Sequence, residues 1–165
     1  MWITQTYLGK PDPGAKIFIY WLWEDYAGHK EAPTNIITRM QEMGRSFGDE
    51  VTLMSPQPGD HVEIGGNIKR GLWSKVAGKT PGLLLLEKPL TEIDPRSEEY
   101  IFFQLGNRDE REITKIFKEI EFVCREMLKV DAENATGWLR RFGEAIQFNP
   151  NFMGIGVDIR QLFRR

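Results

Sequence analysis

The chain has very few of the residues that build disulfide frameworks and metal centres. Its 165 residues include one cysteine, Cys124, and two histidines, His29 and His61. One cysteine cannot form an internal disulfide, and neither histidine has a partner at the spacing of a metal site. The single cysteine excludes a domain held together by disulfides and is typical of a protein in a reducing compartment. With so few histidines and cysteines, we expect no metal and no cofactor.

Long apolar segments and a targeting signal are also missing. No run of the sequence approaches the ~20 apolar residues that a membrane-spanning helix needs. The first residues, 1–14, contain neither a basic start nor an apolar stretch of signal-peptide length. We therefore expect a cytoplasmic protein that has no membrane partner.

The charge balance gives no strong attraction for nucleic acid. The formal net charge is −2 at pH 7, whereas nucleic-acid-binding domains are usually basic. Basic residues form two local groups, namely Lys69, Arg70 and Lys75, and then Arg160, Arg164 and Arg165. Both groups are typical of solvated helix faces or a terminal turn, so nucleic acid is not expected to be a partner.

The composition that remains predicts a folded domain. A chain of 165 residues can bury about 70% of its unfolded surface, and 12% aromatic residues argue against disorder. Two domains would each be shorter than the usual length of roughly 100–200 residues. We expect residues 1–165 to form a single domain, and the ending Arg164-Arg165 leaves open that it is the N-terminal module of a longer protein.

Five segments have strand-like patterns, and they cover residues 2–8, 16–23, 50–54, 83–86 and 100–105. The second of them, KIFIYWLW, is almost continuously apolar, which predicts a central strand covered on both faces. The first predicts a weaker edge strand. The four leucines of 83–86 have Pro and Gly before them and form a short run, which favours a strand over a helix.

Four further segments have helical periodicity. The first covers residues 34–48, with Thr34 or Asn35 as the N-cap and Gly48 as the stop. The second covers 64–76 and the fourth 134–146. The third begins after Asn107 or Asp109 and has an unbroken apolar stripe that includes Cys124, so we expect this thiol to be part of the core and not catalytic.

The order strand, helix, strand, helix, strand predicts parallel strands joined by helical crossovers. The expected fold is a three-layer α/β domain with a mainly parallel sheet of four to five strands, flanking helices and further C-terminal helices. Over about residues 16–130 this order is similar to that of flavodoxin-like and Toll/interleukin-receptor-like domains. The resemblance lies in the order of elements alone, and it implies no site residues. The segment 87–99 has no helical period, which leaves open an antiparallel last strand.

The stretch GLWSKVAGKT, residues 71–80, ends like a phosphate-binding loop but does not have its spacing. Six residues separate Gly71 from Gly78, where the loop pattern has four. The Gly-Lys-Thr also follows a predicted helix and precedes a strand, whereas a phosphate-binding loop lies between a strand and the helix after it. We interpret Gly78 as a helix stop, and the chain is not expected to be an NTPase of this class.

The other end of the same predicted helix could hold an anion. Gly65 and Gly66 lie in its first turn, and Lys69 and Arg70 follow. Backbone N–H groups at a helix N-terminus attract anions, and two cations would add to that attraction. The alternative is a flexible helix start with a solvated basic face.

A second candidate site follows from the predicted topology. In open parallel sheets, ligands bind beyond the carboxyl ends of the strands, where the strand order reverses. With the order 2-1-3 for the first three parallel strands, this crevice lies between the ends of 16–23 and 83–86. The candidate catalytic residues are Glu24, Asp25 and Glu87, and the candidate ligand-binding residues are Trp23, Tyr26, His61 and Lys88. The alternative is that these carboxylates mark the solvent boundary of their strands.

Two classes of function remain. The first is a cytosolic protein-interaction or regulatory module, favoured because no catalytic motif is present and because the aromatic, Met and Arg residues are types enriched at interfaces. Its candidate contact surfaces are the segments 88–96 and 152–165, its expected partner is a protein, and a homo-oligomer is left open. The second is a small α/β enzyme that acts on a nucleotide-like or sugar-phosphate ligand through carboxylates at the strand ends.

Overall fold

The computed structural model describes residues 2–3, 12–22, 34–54, 76, 78–90, 92 and 100–129. The strands there are β1 (Trp2–Ile3), β2 (Ile17–Leu22), β3 (Val51–Met54), β4 (Gly82–Leu86) and β5 (Ile101–Gln104). The two long α-helices are α1 (Thr34–Phe47) and α2 (Glu110–Leu128), and a 3₁₀ turn at Gly48–Glu50 follows α1. All five predicted strands are therefore confirmed at least in part. The predicted helices 64–76 and 134–146, apart from Val76, and the tail 152–165 lie outside the described residues.

The strands form one mixed sheet in the order β1-β3-β2-β4-β5. The pairs β1·β3 and β2·β3 are parallel. The pairs β2·β4 and β4·β5 are antiparallel. Because β1 contributes only two described residues, the sheet consists mainly of the other four strands. Strand β2 lies at its centre.

The mainly parallel sheet predicted from the element order is therefore wrong. The neighbour order β3-β2-β4 is the predicted 2-1-3, but β4 runs in the opposite direction. Tyr20 is opposite Met54, and Leu22 is opposite Gly82, so the connection from β3 to β4 begins and ends at the same end of the sheet. A parallel strand would have to start at the other end, and the flavodoxin-like arrangement therefore does not apply.

Both faces of β2 are buried, as its continuous apolar sequence predicts. All six residues, Ile17 to Leu22, are at most 4% exposed. Successive side chains point to opposite faces of a strand, and here they enter two separate clusters. Ile17, Ile19 and Trp21 belong to the cluster that also contains helix residues. Phe18, Tyr20 and Leu22 belong to the cluster on the second face.

The helices α1 and α2 both pack on the first face of the sheet. Their apolar residues fall at helical spacing, and each helix therefore turns one side to the sheet. The residues that α1 buries there are Ile36, Met40 and Met43, and those that α2 buries are Ile113, Ile116, Phe117, Ile120, Val123, Cys124 and Met127. None of the helices among the described residues combines the length and the apolarity needed to cross a bilayer.

Local sequence determines where the helices begin and end. Asp109 caps α2: its side chain accepts from the Glu112 N–H at 2.8 Å, and the Glu112 side chain accepts from the Asp109 N–H at 3.1 Å. Such a capping box satisfies N–H groups that the first turn leaves without partners. The predicted stop at Gly48 is confirmed by its φ of 58°, a left-handed angle that glycine adopts without strain.

The Gly-Lys-Thr stretch has the predicted context. Val76 is helical and buried, and Gly78 has a φ of 75°, which is typical of the residue that ends a helix. The next element along the chain is β4, which begins at Gly82. A strand, and not a helix, therefore follows Gly-Lys-Thr, so no helix N-terminus is available there to hold a phosphate.

The substitution Gly82→Ala tests the packing of β4 against β5. A Cβ at residue 82 would overlap the ring of Phe102 and lie 2.8 Å from the carbonyl oxygen of Phe103. We expect a loss of about 1–3 kcal/mol in the free energy of unfolding, because the core must shift to admit the methyl group. Urea denaturation measures this loss. The matched control is Gly14→Ala, whose Cβ would meet its nearest atom at 3.6 Å. Equal stability of the two variants would contradict the described pairing of β4 and β5.

Candidate interaction surface

Two of the predicted site residues, Glu87 and Lys88, lie within the described part of the chain, directly after β4. The remaining candidates lie outside it, namely Trp23, Glu24, Asp25, Tyr26, His61, Gly65, Gly66, Lys69 and Arg70. Their proposed catalytic and ligand-binding roles stay predictions.

The premise that joined these residues into one crevice is wrong. It required the carboxyl ends of β2 and β4 to lie side by side. In the antiparallel pair, Phe18 is opposite Leu86, so Glu87 follows the strand end that lies near the start of β2. The chain leaves β2 after Leu22, at the other end of the sheet, and at about 3.3 Å per residue the last residues of the two strands are roughly 13 Å apart along the strand direction.

The segment after β4 is anchored to the second face of the sheet. The Leu90 N–H donates to the Tyr20 hydroxyl at 2.8 Å, and both residues are buried. Burial raises the pKa of Tyr20 to about 12, so this hydroxyl stays protonated. Tyr20 therefore acts as a structural anchor. The segment 88–96, a predicted contact surface, begins with residues held in place by this bond.

Cys124 is a core residue, as its position in the apolar stripe predicts. The side chain is fully buried in the cluster between the helices and the sheet. Burial raises the pKa of the thiol to about 12, so the nucleophilic thiolate is essentially absent at neutral pH. The described ranges also contain no group of three or more His, Cys, Asp or Glu residues arranged to hold a metal ion.

A polar seam fixes α2 beside α1. At its start, Arg39 donates to the Glu110 carboxylate at 2.6 Å and to the Thr114 hydroxyl at 2.9 Å. Asn35 donates to the other oxygen of the same carboxylate at 2.6 Å. These hydrogen bonds, that of Arg39 first, hold the pKa of Glu110 below its ordinary value. Side-chain contacts of this kind, added to the buried faces, set the position of α2 on the sheet.

The outer face of α2 is a continuous basic stripe. Its exposed residues after the first are Arg111, Lys115, Lys118, Phe122, Arg125 and Lys129, the last in the turn that ends the helix. Their spacing is 4, 3, 4, 3 and 4 residues, which places them on one line along a helix. We call these six residues the basic stripe. At 1.5 Å per residue, the line is about 27 Å long.

The stripe contains one apolar residue among the cations. Phe122 is 48% exposed and is the exposed large hydrophobic residue of the described part of the chain. A half-exposed aromatic ring between cationic side chains provides apolar contact area for a partner side chain, and single exposed apolar residues of this kind are common on protein surfaces. Phe122 is therefore the apolar position of the stripe.

The two halves of the basic stripe differ in the ion pairs that their cations form with neighbouring carboxylates. In the second half, Lys129 pairs with Glu126 at 2.5 Å, and Arg125 lies 3.9 Å from Glu121. The Arg125 guanidinium also lies 5.8 Å from the centre of the Phe47 ring. In the first half, the described residues offer no ion pair within 4.0 Å to Arg111, Lys115 or Lys118. The described ion pairs of the stripe therefore lie in its second half, and in its first half the charge of Lys115 acts on Glu119, one turn further along α2.

Glu119 lies beside the stripe and is poorly solvated. One of its carboxylate oxygens is buried and has no hydrogen-bond partner among the described residues. Burial raises the pKa of this carboxyl to about 7, and the charge of Lys115 opposes that shift only in part. Glu119 is therefore a mixture of ionised and protonated forms near neutral pH.

The comparisons with known proteins identify no relative: no family model, curated protein or solved structure matches the chain. The outer face of α2 was not among the predicted site residues. The helical spacing of the apolar residues from Ile113 to Leu128 predicts which side of the helix is buried, and it therefore also predicts which positions face outward. Those outward positions hold Arg111, Lys115, Lys118 and Phe122.

The substitution Glu119→Gln tests the burial of this carboxyl. The folded-state pKa lies above the ordinary value of 4.5, so the folded protein binds the proton more tightly, and stability falls as pH rises from about 4.5 to 7. The amide carries no charge, so the variant should be the more stable protein at pH 8, by about 1 kcal/mol or roughly 2–4 °C in Tm. The difference should shrink at pH 5, as thermal melts at the two pH values would show.

The matched control is Glu126→Gln, two turns further along the same side of α2. Its carboxylate forms an exposed ion pair with Lys129, and such pairs contribute little to stability. The control should therefore leave the stability nearly unchanged. A gain for Glu119→Gln that is the same at pH 5 and pH 8 would contradict the burial of the ionised form.

Proposed function

We propose that this chain is a cytosolic protein-interaction module that acts through a protein partner, and that the basic stripe of α2 is its contact surface. The observation that carries the proposal is the line of five cations and one half-exposed phenylalanine on the outer face of a helix. Arg and Phe are among the residue types enriched at interfaces.

The position of α2 supports a binding role. Its inner face is buried against the sheet, its N-terminus is capped, and its side is bonded to α1. A surface on such a fixed helix needs little ordering when a partner binds, which lowers the entropic cost of association. The stripe is therefore preorganised.

Charge distribution favours a protein over a nucleic acid as the partner. Glutamates line both sides of the stripe, with Glu112 and Glu119 on one side and Glu121 on the other. These carboxylates would repel phosphates that spread beyond the central line, and a net charge of −2 lacks the basic excess that is usual in nucleic-acid-binding domains. A protein segment as narrow as the line of cations could contact these residues without lying over the glutamates on either side.

The hypothesis of a small α/β enzyme was based on a parallel arrangement of β2 and β4, which the structure does not have. It required Glu24, Asp25 and Glu87 to converge at neighbouring strand ends, and the antiparallel direction of β4 removes that reason. We therefore propose the interaction module alone.

The double substitution Lys115→Gln/Lys118→Gln tests the proposal. Both residues are exposed, so the fold should be unchanged, and the thermal melt should confirm that. We expect about a tenfold loss in recovery of the cellular partner, because two exposed cations contribute about 1–2 kcal/mol to a charge-complementary interface. The measurement is cross-linking of the tagged full chain in its source cells, followed by quantitative mass spectrometry.

The matched control is Lys16→Gln/Arg45→Gln, which removes the same charge from exposed positions away from α2. It should recover the partner as the unsubstituted chain does. Equal recovery by the stripe variant and the control would show that the partner binds elsewhere, and the proposed contact surface would be abandoned.

A further inference from the structure

We infer that the partner segment is an acidic amphipathic helix that lies lengthwise along α2. Its carboxylates would face Arg111, Lys115 and Lys118, and one apolar side chain would pack against Phe122. This inference rests on the proposed function, since it specifies the partner chemistry of the same surface.

The spacing of the stripe favours a helix over an extended chain. Residues separated by 4, 3, 4, 3 and 4 positions form the kind of line along which two helices pack side by side, near 20°. A second helix presents its own side chains with the same repeat, so every contact position on α2 meets one on the partner. An extended strand spans the same 27 Å in about 8 residues and turns alternate side chains away.

The charge pattern predicts where the acids of the partner lie. The cations that form no ion pair within 4.0 Å among the described residues are in the first half of the stripe, whereas Arg125 and Lys129 lie within 4.0 Å of carboxylates of α2. The positive end of the helix dipole is also at the start of α2, where it adds to the attraction. The partner should therefore place its carboxylates opposite residues 111–118.

Phe122 predicts the position of the apolar contact. It is 48% exposed, and it follows Lys118 by one turn of the helix. The binding contribution of an interface usually concentrates in a few aromatic or Arg residues that a partner side chain covers. We expect a Leu-sized residue of the partner to lie on this ring, one turn beyond its acids.

A designed peptide provides the probe. It has 18 residues of high helix propensity, three glutamates at the positions that face Arg111, Lys115 and Lys118, and one leucine at the position that faces Phe122. The comparison peptide has the same composition, with the glutamates distributed around the helix. Fluorescence anisotropy with the full chain measures both affinities, and the patterned peptide should bind at least about tenfold more tightly.

Substitutions in the chain locate the binding. Phe122→Ala should weaken the patterned peptide by about tenfold, and Phe122→Leu should largely restore binding because the apolar contact returns. Lys115→Gln/Lys118→Gln should weaken it similarly and reduce its salt dependence. The control Lys16→Gln/Arg45→Gln should leave the affinity unchanged.

Other outcomes would overturn the inference in distinguishable ways. If the two peptides bind equally, or neither binds, while the stripe variant still loses its cellular partner, the helix is wrong and the interaction surface remains. If the stripe variant keeps its cellular partner, the proposed function fails as well. If a single-stranded oligonucleotide of equal charge displaces the patterned peptide, the stripe is a nucleic-acid surface, and both proposals are wrong.

Discussion

The antiparallel pairing of β2 with β4 is the constraint on which the rest of the structure depends. Ile17 to Leu22 and Gly82 to Leu86 lie next to each other and are almost fully buried. Since neither strand can turn a face to water, both faces of the sheet must be covered. The helices α1 and α2 cover one of them, and their positions follow from that burial.

This constraint also decides which surfaces are free for function. With β2 and β4 running in opposite directions, the crevice expected at neighbouring carboxyl ends has no structural basis. Helix α2 is fixed to the sheet by its apolar residues and to α1 by the Arg39–Glu110 bond. Its outer face therefore carries the cations and Phe122 in a fixed arrangement, so the proposed function follows from the periodicity of one helix and from what lies on each side of it.

The sequence predicts the elements better than their directions. The continuous apolar run of β2, the capping residue Asp109 and the helix stop at Gly48 each act through local physical chemistry, and all three are confirmed. The direction of β4 depends on where the long connection from Met54 ends, and neither its composition nor its length determines that. The raised pKa of Glu119 depends on tertiary burial, which no pattern in the chain reveals.

Nuclear magnetic resonance of the full chain tests the central pairing most directly. In an antiparallel pair, alternate opposed residues bring their Cα atoms within about 4.5 Å, which gives strong contacts between α-protons. The register predicts such contacts for one alternate set, either Ile19–Leu85 with Trp21–Leu83 or Phe18–Leu86 with Tyr20–Leu84. Absence of both sets, together with contacts that join the start of β2 to the start of β4, would show parallel strands and contradict the account.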